Sequence, residues 1–328
     1  MMNLPQFSVV IPLYNKEQHI LRTLKSIQTQ RYSVSEIIVV DDGSSDNGAA
    51  LVEQLNWPNL TLIRQKNQGV SAARNNGVAA AMHSYIAFLD ADDEWLPLYL
   101  EEMVALIHQF PQAGLYASRY QIVASDERYV DAQIYLPKVN PNGMLLHNYF
   151  HIASQGNLPF MTSSTTVRRE IFESLGGFPV GESMGEDQTL FCNMALKSSI
   201  AYSPNIHLLY HCDAQNQATQ HHIPATECAF SQRIQVLAEQ TQDADLKLDM
   251  LRYCAAHLCH IAKLNIQQRR YGMARQLLSD PRTKLKTKHR LALFSWSWLK
   301  QSEMTFRYLL GKGLNTFYKA KKSNSISF

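Results

Sequence analysis

YIAFLDADDEWLP, residues 85–97, decides how the chain is read. Five mostly apolar residues run straight into Asp90, Asp92, Asp93 and Glu94, and Pro97 follows. A short apolar run that stops at turn residues is the pattern of a strand buried on both faces. Carboxylates crowded at its end repel one another and raise each other's proton affinity. Such crowding suits a site meant to receive positive charge. Mg²⁺ and Mn²⁺ are hard cations that take oxygen ligands, often one or two carboxylates plus substrate phosphates. The plain alternative is a solvated acidic turn capping a helix that starts at Pro97, a favoured first helical position.

Outward from this stretch the first half of the chain alternates. FSVVIP (7–12), EIIVV (36–40), LTLIR (60–64) and YIAFL (85–89) read as strands. Between them, 17–30 carries Ile20, Leu21, Leu24 and Ile27 at helical spacing, a helix is expected near 46–55, and 70–83 is an alanine-rich helix. This order predicts an α/β fold with a mostly parallel, Rossmann-like sheet and helices on both faces. Ligands of such sheets bind beyond the carboxyl ends of the strands. Tyr14, Asn15, Asp41, Asp42, Asp90, Asp92 and Asp93 all follow strand ends and should gather along one edge. Further strands are expected at 114–124, 163–167 and within 200–211, with a helix starting near Gly185. From about 225 the chain reads as helical.

The charge is divided. Residues 1–225 hold 13 Lys and Arg against 21 Asp and Glu, and residues 226–328 hold 18 against 7. An acidic front and a basic tail suggest a tail that meets phosphate, nucleic acid or an anionic membrane. Five cysteines without a CxxC pair argue against a disulfide framework and fit a reducing compartment. No basic segment opens the chain, and no run approaches the roughly 20 apolar residues of a membrane span.

Three further constellations bear chemistry. In VVDDGSSD (39–46), Asp41 and Asp42 stand where a nucleotide base would lie and can accept from a ring N–H; alternatively this is a tight turn with Asp46 as helix N-cap. In QKNQGVSAARNNG (65–77), Gly69 allows close backbone approach at a helix start that favours anions, and Arg74 can reach a phosphate or base; alternatively it is a surface arginine. In LGGFPVGESMGEDQTLF (175–191), Glu186 or Asp187 is a candidate general base, or both merely favour a helix N-terminus.

Taken in order, SVVIPLYN, IIVVDDGSSD, NQGVSAARNNG, YIAFLDADDEWLP and LGGF…GED resemble glycosyltransferase family 2 over roughly residues 6–211. The resemblance implies a GT-A fold at 1–224, with a nucleotide-sugar half to about 112 and an acceptor half from 113, followed by a basic helical region at 225–328. It implies an inverting, metal-dependent transferase of hexosyl or N-acetylhexosaminyl groups. The donor would be a nucleoside diphosphate sugar, UDP-linked, the acceptor a glycan or lipid-linked hydroxyl, the cofactor Mn²⁺ or Mg²⁺, and the setting bacterial surface-polysaccharide synthesis in the cytoplasm. By position, Pro12, Tyr14, Glu17, Asp41, Asp42, Arg74 and Asp90 would bind donor. Asp90, Asp92 and Asp93 would ligate metal, with His211 as a weaker ligand. Asp187, next to Glu186, would be the base. The alternative class is a nucleotide-sugar-binding or membrane-scaffolding protein without turnover.

Other classes fit poorly. A dinucleotide-binding dehydrogenase wants G-x-G-x-x-G after its first strand, and IPLYNKE has no glycine. A sugar nucleotidyltransferase wants a basic glycine-rich loop there, also missing. CAAHLCH (254–260) could suggest zinc, but core packing is the simpler reading. His221 and His222 fall in an expected loop. Residues 282–322 carry 11 Lys and Arg and one acid, Glu303, interleaved with aromatics including Trp296, Trp298, Phe306 and Tyr308. That composition suits an anionic membrane surface. No nucleic-acid module accompanies it. Its apolar residues could equally serve an oligomer.

Overall fold

The computed structural model describes residues 4–182, 184–213 and 223–323, with side chains through residue 305. His221 and His222 lie outside the described residues, as do the side chains of Phe306 and Tyr308. The chain forms two compact units, one of residues 1–222 and 228–253, the other of 223–227 and 254–328.

The first unit is built on one sheet. Its strands are β1 (Phe7–Leu13), β2 (Glu36–Asp41), β3 (Leu60–Arg64), β4 (Tyr85–Phe88), β5 (Glu94–Trp95), β6 (Ala113–Val123), β7 (Tyr129–Asp131), β8 (Met144–Leu145), β9 (Thr165–Arg168) and β10 (Ser199–His211). They lie in the order β3-β2-β1-β4-β9-β6-β10-β5, with β7 on β6 and β8 on β10. The first four pair in parallel. β9 runs antiparallel between β4 and β6, and β10 is parallel to β6. The segment 200–211 is thus part of one long strand, with register shifts between Ser203 and Leu208 around Pro204, which has no N–H to give the ladder.

The apolar run of β1 has a direct cause. Phe7, Val9, Ile11 and Leu13 enter the core shared with α1 (Ile20–Gln28) through Ile20, Leu24 and Ile27. On the opposite face Val10 meets α3 (Val70–Ala80) so closely that a Cβ on Gly77 would lie 2.4 Å from its Cγ1. A strand covered on both sides has no place for a polar face. Pro12 is buried beyond Val10, the last residue of β1 paired to β4, where one flank no longer needs a donor.

Three details differ from the sequence reading. Pro97 does not open a helix; Glu94 and Trp95 form β5 on β10, and α4 (Tyr99–Gln109) begins two residues after the proline. The N-cap of α2 (Gly48–Gln54) is Asn47, while Asp46 accepts from Gly48 N–H at 3.0 Å and Glu17 N–H at 2.9 Å. Past residue 225, α8 (Ala229–Gln240) still belongs to the first unit, because Phe230 is buried with its ring 5.3 Å from Tyr253.

The second unit holds most of α9 (Ala244–Gln267), then α10 (Tyr271–Ser279), a 3₁₀ turn (Pro281–Lys286) and α11 (Thr287–Ser323). Cys254 and Cys259 are fully buried here, and burial pushes His257 down to about 3. CAAHLCH is therefore core. Among the described residues no helix is long and apolar enough to cross a membrane.

Candidate active site

The turns after β1 and β2 are stitched into one rim. Asn15, at φ 51°, donates its N–H to Ser44 Oγ at 3.0 Å and accepts from Ser45 N–H at 2.7 Å. Glu17 accepts from Asn47 N–H at 2.9 Å, and Asp41 accepts from Ser44 N–H at 3.1 Å. Asp42 reaches the other way. It accepts from Gln65 Nε2 at 2.7 Å and from the N–H groups of Gln68 and Gly69, each at 2.8 Å. Three of a carboxylate's roughly four acceptor sites are then filled, leaving one. Pro12, Tyr14, Glu17, Asp41 and Asp42 thus share one edge, but Glu17 and Asp41 spend their carboxylates on shaping it. Tyr14 is the outward-facing member, 46% exposed.

The acids after β4 separate. Asp90 pairs with Arg74 at 2.7 Å, and Asp92 pairs with Lys16 at 2.7 Å. Arg22 of α1 adds a hydrogen bond to the Asp92 carbonyl at 2.7 Å. Asp93 turns inward and is 1% exposed, accepting from the Ser163 hydroxyl and from His211 N–H. Burial, then the charges of Asp92 and Asp90, holds its carboxyl well above the usual carboxylate range. Asp93, expected as a metal ligand, is an interior acid that joins three segments. His211, expected as a weaker ligand, also lies inside. Its ring nitrogen Nε2 lies 3.5 Å from Glu94, and the residue is buried. The repulsion anticipated from the sequence is met by the chain's own Lys16 and Arg74.

Among the described residues no three His, Cys, Asp or Glu side chains converge into a metal cage. A two-carboxylate site is different. Asp90 and Asp92 side chains are 29% and 14% exposed, and each uses only one carboxylate oxygen in its ion pair. That donor set fits a hard cation whose remaining ligands are phosphates and water.

Arg74 is the centre of the site and is buried, which rules out the alternative of an ordinary surface arginine. It is 4% exposed. One guanidinium nitrogen meets Asp90; the other lies 3.8 Å from Glu186 Oε1. Its plane lies 5.0 Å over the Phe178 ring. Phe178 is fixed by Asn75, which accepts its N–H at 2.9 Å and donates to its carbonyl at 2.8 Å. The glycine pair explains itself here. Gly177 has φ 71°, and a Cβ on it would stand 2.6 Å from Asn75 Oδ1. Gly185, left-handed at φ 87°, then turns the chain into α7 (Glu186–Lys197).

The two acids opening α7 both have raised proton affinity. Burial, then Asp187, pushes Glu186 up to about 7 against the pull of Arg74. Burial also raises Asp187, opposed by its hydrogen bond from Gln188 N–H at 2.7 Å and by Arg74. Arg74 therefore links the acid at the end of β4 to the acid pair 96 residues further on. Lys16, Asn75 and Ser163 were missed in the sequence; Lys16 stands between two residues that were picked, but a lone lysine in a turn carries no pattern.

A central, mostly parallel sheet whose strand tips carry this acid rim, with an antiparallel strand leading to a second acid pair, defines a GT-A fold. The Glycosyl transferase family 2 model matches residues 8–176, over half the chain, and the chain belongs to that family. An uncharacterized glycosyltransferase of Nostoc sp. is 33% identical over 180 residues, which is 53% of this chain and 54% of that one. WcaA of Escherichia coli, by name a candidate colanic acid biosynthesis glycosyl transferase, is 38% identical over 124 residues, 37% of this chain and 44% of its own. The matches thus span about half or less of these relatives. Staphylococcus aureus TarS 1–349 in complex with UDP-GlcNAc superposes at TM-score 0.63, with 18% identity over 92% of both chains. Its complex with UDP gives 0.54 at 19% identity, over 88% of this chain and 92% of that one.

Proposed function

We propose that the chain transfers a hexosyl or N-acetylhexosaminyl group from a UDP-sugar to a hydroxyl of a glycan or lipid-linked acceptor, with inversion, in surface-polysaccharide synthesis. The observation that carries this reading is the Arg74 bridge, which ties donor-side Asp90 to Glu186 beside Asp187. Family membership and the sugar-nucleotide complex of TarS support the donor class. The name of WcaA supports the polysaccharide setting.

The division of labour follows from the side chains. Tyr14 and the last acceptor site of Asp42, on the rim that Asp41 shapes, receive the base. Asp90 and Asp92 would hold Mn²⁺ or Mg²⁺, which when bound supplies charge neutralisation for the departing nucleoside diphosphate. Asp187, raised in proton affinity, takes the proton of the acceptor hydroxyl as its oxygen bonds to the anomeric carbon and the carbon–phosphate oxygen bond breaks. Burial keeps Asp187 in an environment where a proton is readily accepted, and Arg74 tempers that pull. Nucleotide sugars are made in the cytoplasm, and the reading places the chain there.

The test is release of UDP from a panel of UDP-glucose, UDP-galactose and UDP-N-acetylglucosamine, with and without acceptor glycans, Mn²⁺ and EDTA. Release that depends on both acceptor and Mn²⁺ is expected. A chain that binds donors yet releases no UDP from any of them would return the reading to a binding protein.

A further inference from the structure

Among the described residues, the second unit carries an apolar face on α11 that stands exposed. On α11, Leu293 and Ser297 point inward and are buried. Leu291, Trp298 and Leu299 point away, 55%, 52% and 68% exposed. They stand at positions i, i+7 and i+8, with exposed Ser295 and Ser302 between them on the same arc of the helix. Leu285, in the preceding 3₁₀ turn, is also exposed. The nearest acid on the helix, Glu303, is paired with Lys300 at 2.9 Å. Apolar surface on both sides of a helix means that the outer side has a partner of its own.

The charge around this face says what the partner is. Lys284 and Lys288 are exposed and enter no ion pair among the described residues. The Arg275 guanidinium lies 4.0 Å over the Trp298 ring, so a cation and the largest apolar side chain share one spot. Burial, then Lys263 and Lys286, pushes His289 down, a sign of positive potential beside it. A second copy of the chain would bring the same cations face to face. Nucleic acid would satisfy the lysines and leave the leucines wet. A surface of anionic headgroups over acyl chains satisfies both, and tryptophan with lysine is the pair that sits at such a boundary.

We propose that the outer face of α11, with Leu285, Lys284 and Lys288, docks the protein on an anionic membrane. This goes beyond the transfer reaction and does not depend on it. The docking places the enzyme where a lipid-linked acceptor is found.

Sedimentation of the full chain with phosphatidylglycerol–phosphatidylcholine vesicles and with pure phosphatidylcholine vesicles tests it. The wild type should sediment with the anionic vesicles only, and less as salt rises. Leu291→Ser/Trp298→Ser/Leu299→Ser and, separately, Lys284→Glu/Lys288→Glu should each weaken partitioning by about tenfold or more. Both variants change exposed side chains and should keep the wild-type circular dichroism spectrum. Equal sedimentation with neutral vesicles, or wild-type binding by both variants, overturns the proposal. So does a wild-type dimer that the triple serine variant converts to a monomer in light scattering, which would make the face a contact between copies.

Discussion

Two acid clusters in this molecule have similar composition and opposite fates. After β4, Asp90 and Asp92 each meet a cation of their own, Arg74 and Lys16. At the start of α7, Glu186 and Asp187 share what remains of Arg74, at 3.8 Å from one of them. The first cluster is supplied with positive charge and suits ligation. In the second, burial raises the proton affinity of both acids against the pull of Arg74. Burial and the charges nearby, more than the number of carboxylates, separate an acid suited to cations from one suited to proton exchange.

The comparison can be broken most forcefully at Asp187. Asp187→Asn should lower transfer by about a thousandfold, within the range of a lost general base, while calorimetry finds UDP-sugar affinity nearly unchanged. Normal turnover in that variant would move the base elsewhere. Arg74→Met comes next. It strands Asp90 and Glu186 in a buried setting, and urea unfolding should show a loss of about 3 kcal/mol. A loss below about 1 kcal/mol would mean that the bridge contributes little.

The protons give a finer test. Because Glu186 releases its proton only near 7, transfer should rise with pH through that value, and the acidic limb should move down in Glu186→Gln. The sign for stability is opposite. A folded carboxyl raised from 4.5 to about 7 binds more protons than the unfolded one between those values, so its contribution is present below 4.5 and lost as pH rises through 7. Chemical unfolding at pH 5 and pH 8 checks this against Glu186→Gln. The smallest effect is expected at Lys16. Lys16→Met removes the cation beside Asp92, and donor-free Mn²⁺ affinity should rise by about threefold to tenfold, as one partly buried competing ion pair allows. Weaker Mn²⁺ binding would show that Lys16 supports the site instead of competing for it.

Much of the fold was legible because it rests on local pattern. FSVVIP and EIIVV are continuous apolar runs, and both are central strands buried on each face. DDGSSD and NQG announced the turns that form the rim. The fates of individual acids were not legible. Asp92 and Asp93 are neighbours of one type, yet one meets Lys16 in a turn and the other meets Ser163 and His211 inside. Nothing within a few residues distinguishes them; the choice is made by elements 70 and 118 residues away. The burial of Arg74 was not legible for the same reason, since the aromatic face that covers it comes from Phe178.

The interior position of Asp93 has a consequence for how the molecule is assembled. Its carboxylate accepts from a backbone N–H that lies at the far end of β10. The loop that carries Asp90 and Asp92 therefore gains its last anchor only when β10 has been synthesised and has joined β6. Long-range closures of this kind are slow steps in folding. A nascent chain halted before His211 would own every strand of the nucleotide half and still lack its finished binding loop.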